Sequence, residues 1–203
     1  MNQQEHWNKA YRDDIEKLGW YQGEASEILS LLDDLNLNSD IRFHITGAGR
    51  TTLVHSLIER SFTSLTLSDI SDEALALLKA DHDNLSLKLI QDDLRKPKNL
   101  VKEEPFDFWI DRAVLHFLIK EEERQGYFNL LKNKTKTNAY VLLAQFKKGG
   151  AKKCSGLEVC QYDLAMYEKY LGEDFKLLKS FDYTFINLKG DLRPYIYGLF
   201  QKL

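Results

Sequence analysis

The sequence predicts an α/β domain, with a mostly parallel sheet, helices on both of its faces and an antiparallel hairpin at the C-terminus. Three observations predict it. A β-rich run at 41–46 ends in Gly47-Ala48-Gly49 and passes at once into a helical pattern at Thr51, Leu53, Val54, Leu57 and Ile58. Strand-like and helix-like segments then alternate as far as residue 144, which implies parallel strands joined by helical crossovers. Two long strand-like segments, Phe175–Phe185 and Leu192–Leu203, follow one another around Lys189-Gly190-Asp191 and read as a hairpin at the sheet edge.

Residues 1–38 read as two helices. Trp7, Tyr11, Ile15 and Leu18 share one face of the first, Gly19 ends it, and Ile28, Leu29, Leu31, Leu32 and Leu35 mark the second. The pair either covers a sheet edge or forms a lid in which His6, Trp7, Tyr11, Trp20 and Tyr21 close over a ligand and exclude water. The glycines after the first strand allow a sharp turn and leave no Cβ where a ligand must approach closely. By itself Gly-x-Gly is a weak signal, since such a turn also simply joins a buried strand to its helix.

The second strand, Ser64–Asp69, ends in an acid twenty residues past the glycine turn. A carboxylate there can accept from both hydroxyls of a ribose or cap the next helix; Ser71 is the better cap, which frees Asp69. Asp72 and Glu73 open that helix, where its dipole favours acids. The third strand, Leu85–Gln91, runs into Asp92-Asp93, and the fourth, Phe106–Asp111, into Arg112. A helix over 121–131 precedes the fifth strand, 139–144, and a loop from Phe146 to Cys160 leads to a helix near 162–171. Ligands of such sheets bind beyond the carboxyl ends of the strands, where these acids fall.

One domain spans 1–203, with no internal repeat or low-complexity linker. Lys and Arg number 28 against 31 Asp and Glu, a net charge of −3, so no global electrostatic case exists for nucleic acid or an anionic membrane as partner. Lys132, Lys134, Lys136, Lys147, Lys148, Lys152 and Lys153 cluster locally, as solvated lysines or as a landing surface for an acidic partner. Two cysteines, Cys154 and Cys160, suggest neither a metal cage nor a secreted disulfide framework. There is no signal pattern and no run of eighteen apolar residues, so the expected location is cytoplasmic. No feature assigns an oligomeric state.

A dinucleotide dehydrogenase would carry a third glycine where Thr52 stands and a second nucleotide-binding half where the hairpin stands. The order of glycine turn, acid after the second strand, acid after the third and closing hairpin instead resembles the class I S-adenosylmethionine-dependent methyltransferases. Asp111-Arg-Ala-Val-Leu-His-Phe-Leu118, Lys153-Cys-Ser-Gly-Leu-Glu-Val-Cys-Gln-Tyr162, Arg124 with Tyr127, Gln145-Phe146 and the opening His6-Trp7 with Tyr11 are similar to a bacterial subgroup of small methyltransferases. More distantly they resemble protein-lysine methyltransferases.

The resemblance implies a Rossmann-like seven-stranded sheet and S-adenosyl-L-methionine as cofactor. It implies Gly47 and Gly49 at the methionine and ribose end, Asp69 on the ribose hydroxyls, and Asp93, or Asp92 in exchange, at the adenine amine. Ile70, Leu94, Asp111 and the aromatics Trp7, Tyr11 and Trp20 complete the implied cofactor set. Asp111, Arg112 and His116 follow the strand bordering the transferred methyl and are the implied catalytic residues, with His116 or Asp111 as general base where the acceptor must lose a proton. On the residues alone, Arg112 equally suits an ion pair with Asp111 or a neighbouring acid, and His116 a packed core histidine. Two departures stand out. Ile45 occupies the place of an acid two residues before the first glycine, and Phe185-Ile-Asn-Leu with Arg193 replaces a His-x-Thr-Pro segment and a Gln near the hairpin. The expected function is methyl transfer to a small-molecule or protein side-chain acceptor; the alternative is a methyltransferase-fold module that binds a partner without catalysis.

Overall fold

The computed structural model describes residues 2–12, 18–187 and 190–203. Its elements are α1 (Gln3–Tyr11), α2 (Ser26–Asp33), β1 (Phe43–Thr46), α3 (Leu53–Glu59), β2 (Leu65–Asp69), α4 (Asp72–Asp81), β3 (Lys88–Gln91), β4 (Phe106–Arg112), α5 (Glu121–Lys134), β5 (Thr135–Phe146), the two-residue strands β6 (Lys153–Cys154) and β7 (Leu157–Glu158), α6 (Leu164–Leu171), β8 (Phe175–Ile186) and β9 (Leu192–Lys202). Seven strands form one sheet in the order β3-β2-β1-β4-β5-β9-β8. All neighbours are parallel except β9, which runs antiparallel between β5 and β8, so the last strand lies inside the sheet and β8 forms its edge.

The central strands are buried on both faces, which is why they read as unbroken apolar runs. Along β5, Val141 and Leu143 enter the core beneath α5 and α6, while Leu142, Ala144 and Phe146 enter the core shared with α2 and α3. Two elements run longer than their sequence pattern suggested. β5 starts directly from α5 at Thr135, and β4 continues through Arg112. The loop after β5 also folds back as the β6–β7 pair, a contact too short to leave a period-two signature.

Two helices open the chain, as the sequence pattern predicts. α1 stops at Tyr11, and Ile15 lies outside the described residues, as does Lys189 of the hairpin turn. Asn2 and Glu5 form a reciprocal cap, with Asn2 Oδ1 accepting from the Glu5 N–H at 2.8 Å. Gln4 and Asn8 both donate to Asp72 Oδ1, at 3.1 and 2.7 Å, which ties α1 to the start of α4 above the sheet.

Three of the third-quarter lysines pair with acids. Lys147 pairs with Asp182, Lys148 with Asp163 at 2.5 Å and Lys136 with Asp107 at 2.8 Å. Among the described residues no helix is long and apolar enough to cross a membrane.

A polar chain crosses the core beneath α5. The Trp109 Nε1–H donates to the Tyr127 hydroxyl at 3.0 Å, and that hydroxyl donates to Asp111 Oδ2 at 2.6 Å, all three residues having no solvent exposure. Removing the hydroxyl would leave a buried indole donor unpaired and take a bond from a buried carboxylate. Tyr127→Phe is expected to cost about 2–4 kcal/mol, read as a lower urea midpoint at unchanged slope.

Candidate functional site

The chain leaves β1 toward β2 on one side, while β4 pairs with β1 on the other. Open α/β sheets form their crevice beyond the strand ends at such a switch point. A cavity open to solvent lies there. The ends of β1, β2 and β4 and the segment after β3 form its floor, and α1 with the 18–22 turn forms its roof.

Asp69 is the acid at the floor. Its Oδ2 accepts from the Gly49 N–H and its Oδ1 from the Ser71 N–H, both at 2.9 Å. Each carboxylate oxygen retains a further acceptor site on the cavity it lines. Ser71, not Asp69, caps α4, its hydroxyl accepting from the Ala74 N–H at 3.0 Å. Burial pushes the Asp69 pKa up to about 6, against the opposing pull of the backbone N–H groups.

Both turn glycines are required by their surroundings. Gly47 (φ +55°) and Gly49 (φ +53°) sit in the left-handed region. A Cβ on Gly47 would stand 2.1 Å from a Val114 methyl, and one on Gly49 2.2 Å from the Tyr11 hydroxyl. Gly47 lines the cavity directly, whereas Gly49 lies beneath Tyr11. Ile45 also faces the cavity and makes that part of the floor apolar. His44 is turned to the other face, stacked on Phe106 with Nε2 2.9 Å from the Ser68 hydroxyl, and burial holds its pKa near 3.

The two acids after β3 separate in role. Asp92 accepts from the backbone N–H groups of Lys98, Asn99 and Leu100 at 2.8–3.1 Å, and so holds the 93–99 loop closed. Asp93 forms a forked pair with Arg95, at 2.8 and 2.6 Å, on the cavity rim beside Leu94. Ile70, between Asp69 and Ser71, lines the same wall.

Of the three residues expected at the acceptor side, only Arg112 reaches the cavity. Asp111 lies on the opposite face of β4. Its Oδ1 accepts from the N–H groups of Val114 and Leu115 and from Gln145 Nε2 at 2.8 Å, while Oδ2 accepts from Tyr127. Burial raises its pKa, and it has no path to a ligand. His116 is fully buried, its ring stacked on Phe146, and burial beside Arg112 holds it neutral with a pKa near 3. Neither Asp111 nor His116, the expected general bases, lines the cavity: adjacent strand residues alternate faces, and the 115–117 turn rolls His116 into the core.

The roof is aromatic. Trp7 meets Trp20 edge-on at 5.3 Å and Phe117 at 5.0 Å, and Tyr11 meets Trp20 at 5.9 Å. Trp7, Tyr11 and Trp20 all line the cavity. Burial and the nearby Asp69 charge keep the Tyr11 hydroxyl protonated.

Sequence reasoning missed several wall residues. Ala113 adopts φ +67°, a left-handed non-glycine just past β4, and no sequence signal marks it. Val114 and Phe117 line the wall beyond it. Cys154, which suggested neither a metal cage nor a disulfide, also lines the cavity, with its thiol pKa raised by burial. Phe185, Tyr195 and Tyr197 cluster beside Arg112, and the period-two spacing of the last two could have marked them.

Neither a protein-family model nor a curated protein matches the sequence. Solved structures do. A SAM-dependent methyltransferase from Anabaena variabilis superposes with a TM-score of 0.77 at 14% identity, over 100% of this chain and 96% of the other. The N-methyltransferase NodS from Bradyrhizobium japonicum, in complex with S-adenosyl-L-homocysteine, gives 0.69 at 11% identity over 96% and 97%. A 1,6-didemethyltoxoflavin-N1-methyltransferase from Burkholderia thailandensis gives 0.63 at 14% over 98% and 83%. The chain therefore has the Rossmann-like fold of these methyltransferases.

Two outcomes follow from the floor. Gly49→Ala meets both a left-handed backbone and the Tyr11 hydroxyl. It is expected to lose about 1–3 kcal/mol in denaturant unfolding, of which Tyr11→Phe recovers part. Asp69 holds its proton to a higher pH folded than unfolded, so the folded state binds more protons between about pH 4 and pH 6. Its contribution to stability is full below pH 4 and lost as pH rises through 6. Wild type should lose stability across that window relative to Asp69→Asn, read from urea midpoints at each pH.

Proposed function

We propose that the chain is an S-adenosylmethionine-dependent methyltransferase acting on a small-molecule or protein side-chain acceptor. The observation that carries this reading is Asp69, a buried carboxylate held by the glycine turn with acceptor sites open to the cavity. In this reading Asp69 accepts from the ribose hydroxyls, and Asp93 with Ile70 and Leu94 forms the adenine wall. Gly47 lies beneath the methionine end, while Trp7, Tyr11 and Trp20 cover the cofactor. The likeness of fold to an N-methyltransferase solved with S-adenosyl-L-homocysteine supports it further.

The donor supplies a methyl on a sulfonium, already bonded to a good leaving group. The protein's own part is to bind, align and exclude water. The aromatic roof and the apolar Ile45 floor dry the centre of the cavity. Asp111 acts as a positioning residue: its bonds to the Val114 and Leu115 N–H groups fix the wall turn and aim Arg112 inward. His116 packs behind Phe117 and touches no ligand. No carboxylate or imidazole stands near Arg112 on the cavity side among the described residues, which favours an acceptor that needs no general base there.

Calorimetric titration with S-adenosylmethionine and S-adenosylhomocysteine tests this reading. Wild type should bind both, and Asp69→Ala should bind about 10- to 100-fold more weakly, the loss of hydrogen bonds to a charged group. Ile45 in place of an acid favours a second reading, a partner-binding module of the same fold without catalysis. That reading predicts no binding of either compound by wild type.

A further inference from the structure

Arg112 carries a charge with nothing anionic to meet it. Its Nη1 donates to the Trp20 carbonyl at 3.3 Å, and its guanidinium lies 5.3 Å from the Phe185 ring centre and 5.2 Å from that of Tyr195. Its Nε and Nη2 are buried with no well-formed hydrogen bond, the Tyr197 hydroxyl being the polar group beside them. No salt bridge among the described residues includes it.

The nearby acids are committed elsewhere. Asp111 faces the other side of the sheet, bonded to Tyr127 and Gln145. Glu27 accepts from Gln22 at 2.8 Å, and Asp191 takes Arg193 at 3.1 Å. A guanidinium cannot shed its proton, so burying one without a counterion is costly unless a ligand supplies the counterion. Its planar fork matches a carboxylate through two parallel bonds.

Arg112 also lies away from the Asp69 end. Asp69 ends β2, whereas Arg112 ends β4 and packs on β8 and β9, with β1 and Gly47 between the two ends. Resting on the methyltransferase reading, in which Asp69 marks the nucleoside end, we propose that Arg112 anchors a carboxylate on the methyl acceptor. The acceptor is thus an organic acid, with an apolar or aromatic body lying against Val114 and Phe117, which line the cavity.

The test is calorimetric titration of benzoate against benzamide, with and without saturating S-adenosylhomocysteine, on wild type, Arg112→Gln and Arg112→Lys. Wild type should bind benzoate at least ~10-fold more tightly than benzamide, a charge-assisted pair lost in the amide. Arg112→Gln should remove that preference while holding S-adenosylhomocysteine within about threefold of wild type, as a ligand on the opposite end requires. Arg112→Lys, which keeps the charge without the fork, serves as the folded comparison and should retain part of the preference.

Equal affinities for acid and amide, including no binding of either, overturn the proposal. So does an Arg112→Gln variant that loses S-adenosylhomocysteine but keeps 5′-methylthioadenosine, because the carboxylate is then the cofactor's own. Benzoate preference without any S-adenosylhomocysteine binding supports the carboxylate site and overturns the methyl-transfer reading, so the two failures are distinguishable.

Discussion

The cavity depends on a carboxylate that never touches it. Asp111 lies one residue before the end of β4, the central strand, with no solvent exposure, and a charge there needs every acceptor position filled. It receives Tyr127 from α5, Gln145 from β5 and two N–H groups from the turn that follows it. These bonds join one helix, two strands and a turn at a single point. The turn they hold lets Ala113 sit at φ +67° and carries Val114 against Gly47. Gln145 also donates to the Asp111 carbonyl at 3.2 Å and accepts from the His116 N–H at 3.1 Å, so β5 clamps both ends of the turn. A looser arrangement would blur the cavity wall and the direction of Arg112 together.

Alternation along β4 then divides the labour between neighbours. Because side chains on a strand point to opposite faces, fixing Asp111 inside the core beneath α5 sends Arg112 to the cavity side. The same rule separates His44, buried against Phe106 and Trp109, from Ile45, which floors the cavity. At both strands a polar residue facing the helical core neighbours a residue facing the ligand space.

The fold was largely legible because its signals are local. Apolar runs, the Gly47 and Gly49 turn, acids at strand ends and the hairpin each occupy a short stretch, and the strand–helix alternation orders them. The site was legible only where chain position and cavity coincide, as at Asp69 and the Asp93–Leu94 rim. Asp92 and Asp93 look alike in sequence, yet only the fold shows that three backbone N–H groups converge on the first. Asp111 and His116 were read as facing a ligand because they border the right strand; which face a residue takes follows from alternation, and along β4 Ile110 and Arg112 take the cavity side while Asp111 takes the other. The Phe185, Tyr195 and Tyr197 cluster comes from strands far along the chain, and no local pattern couples it to residue 112.

The finished cavity is polarised along the sheet. At the β2 and β3 end, Asp69 and Asp93 face inward from backbone and ion-pair settings that leave acceptor capacity, which suits hydroxyl and amino groups. At the β4 and β9 end, Arg112 presents buried donors among aromatic rings, which suits an oxyanion on an apolar body. Between them lie Ile45, Gly47 and Val114, apolar and close-packed. Charged groups at both ends and none on β1 between them would restrict how a ligand pair enters: each would place its charged or most polar part outward and leave its least polar atoms to meet at the centre. A group carried on a nucleoside would there approach an acid held at the other end, in the dry middle where the floor and the aromatic roof are nearest. In the proposed reading, the polarity of the two ends would set the orientation of both ligands, and the apolar middle where they meet.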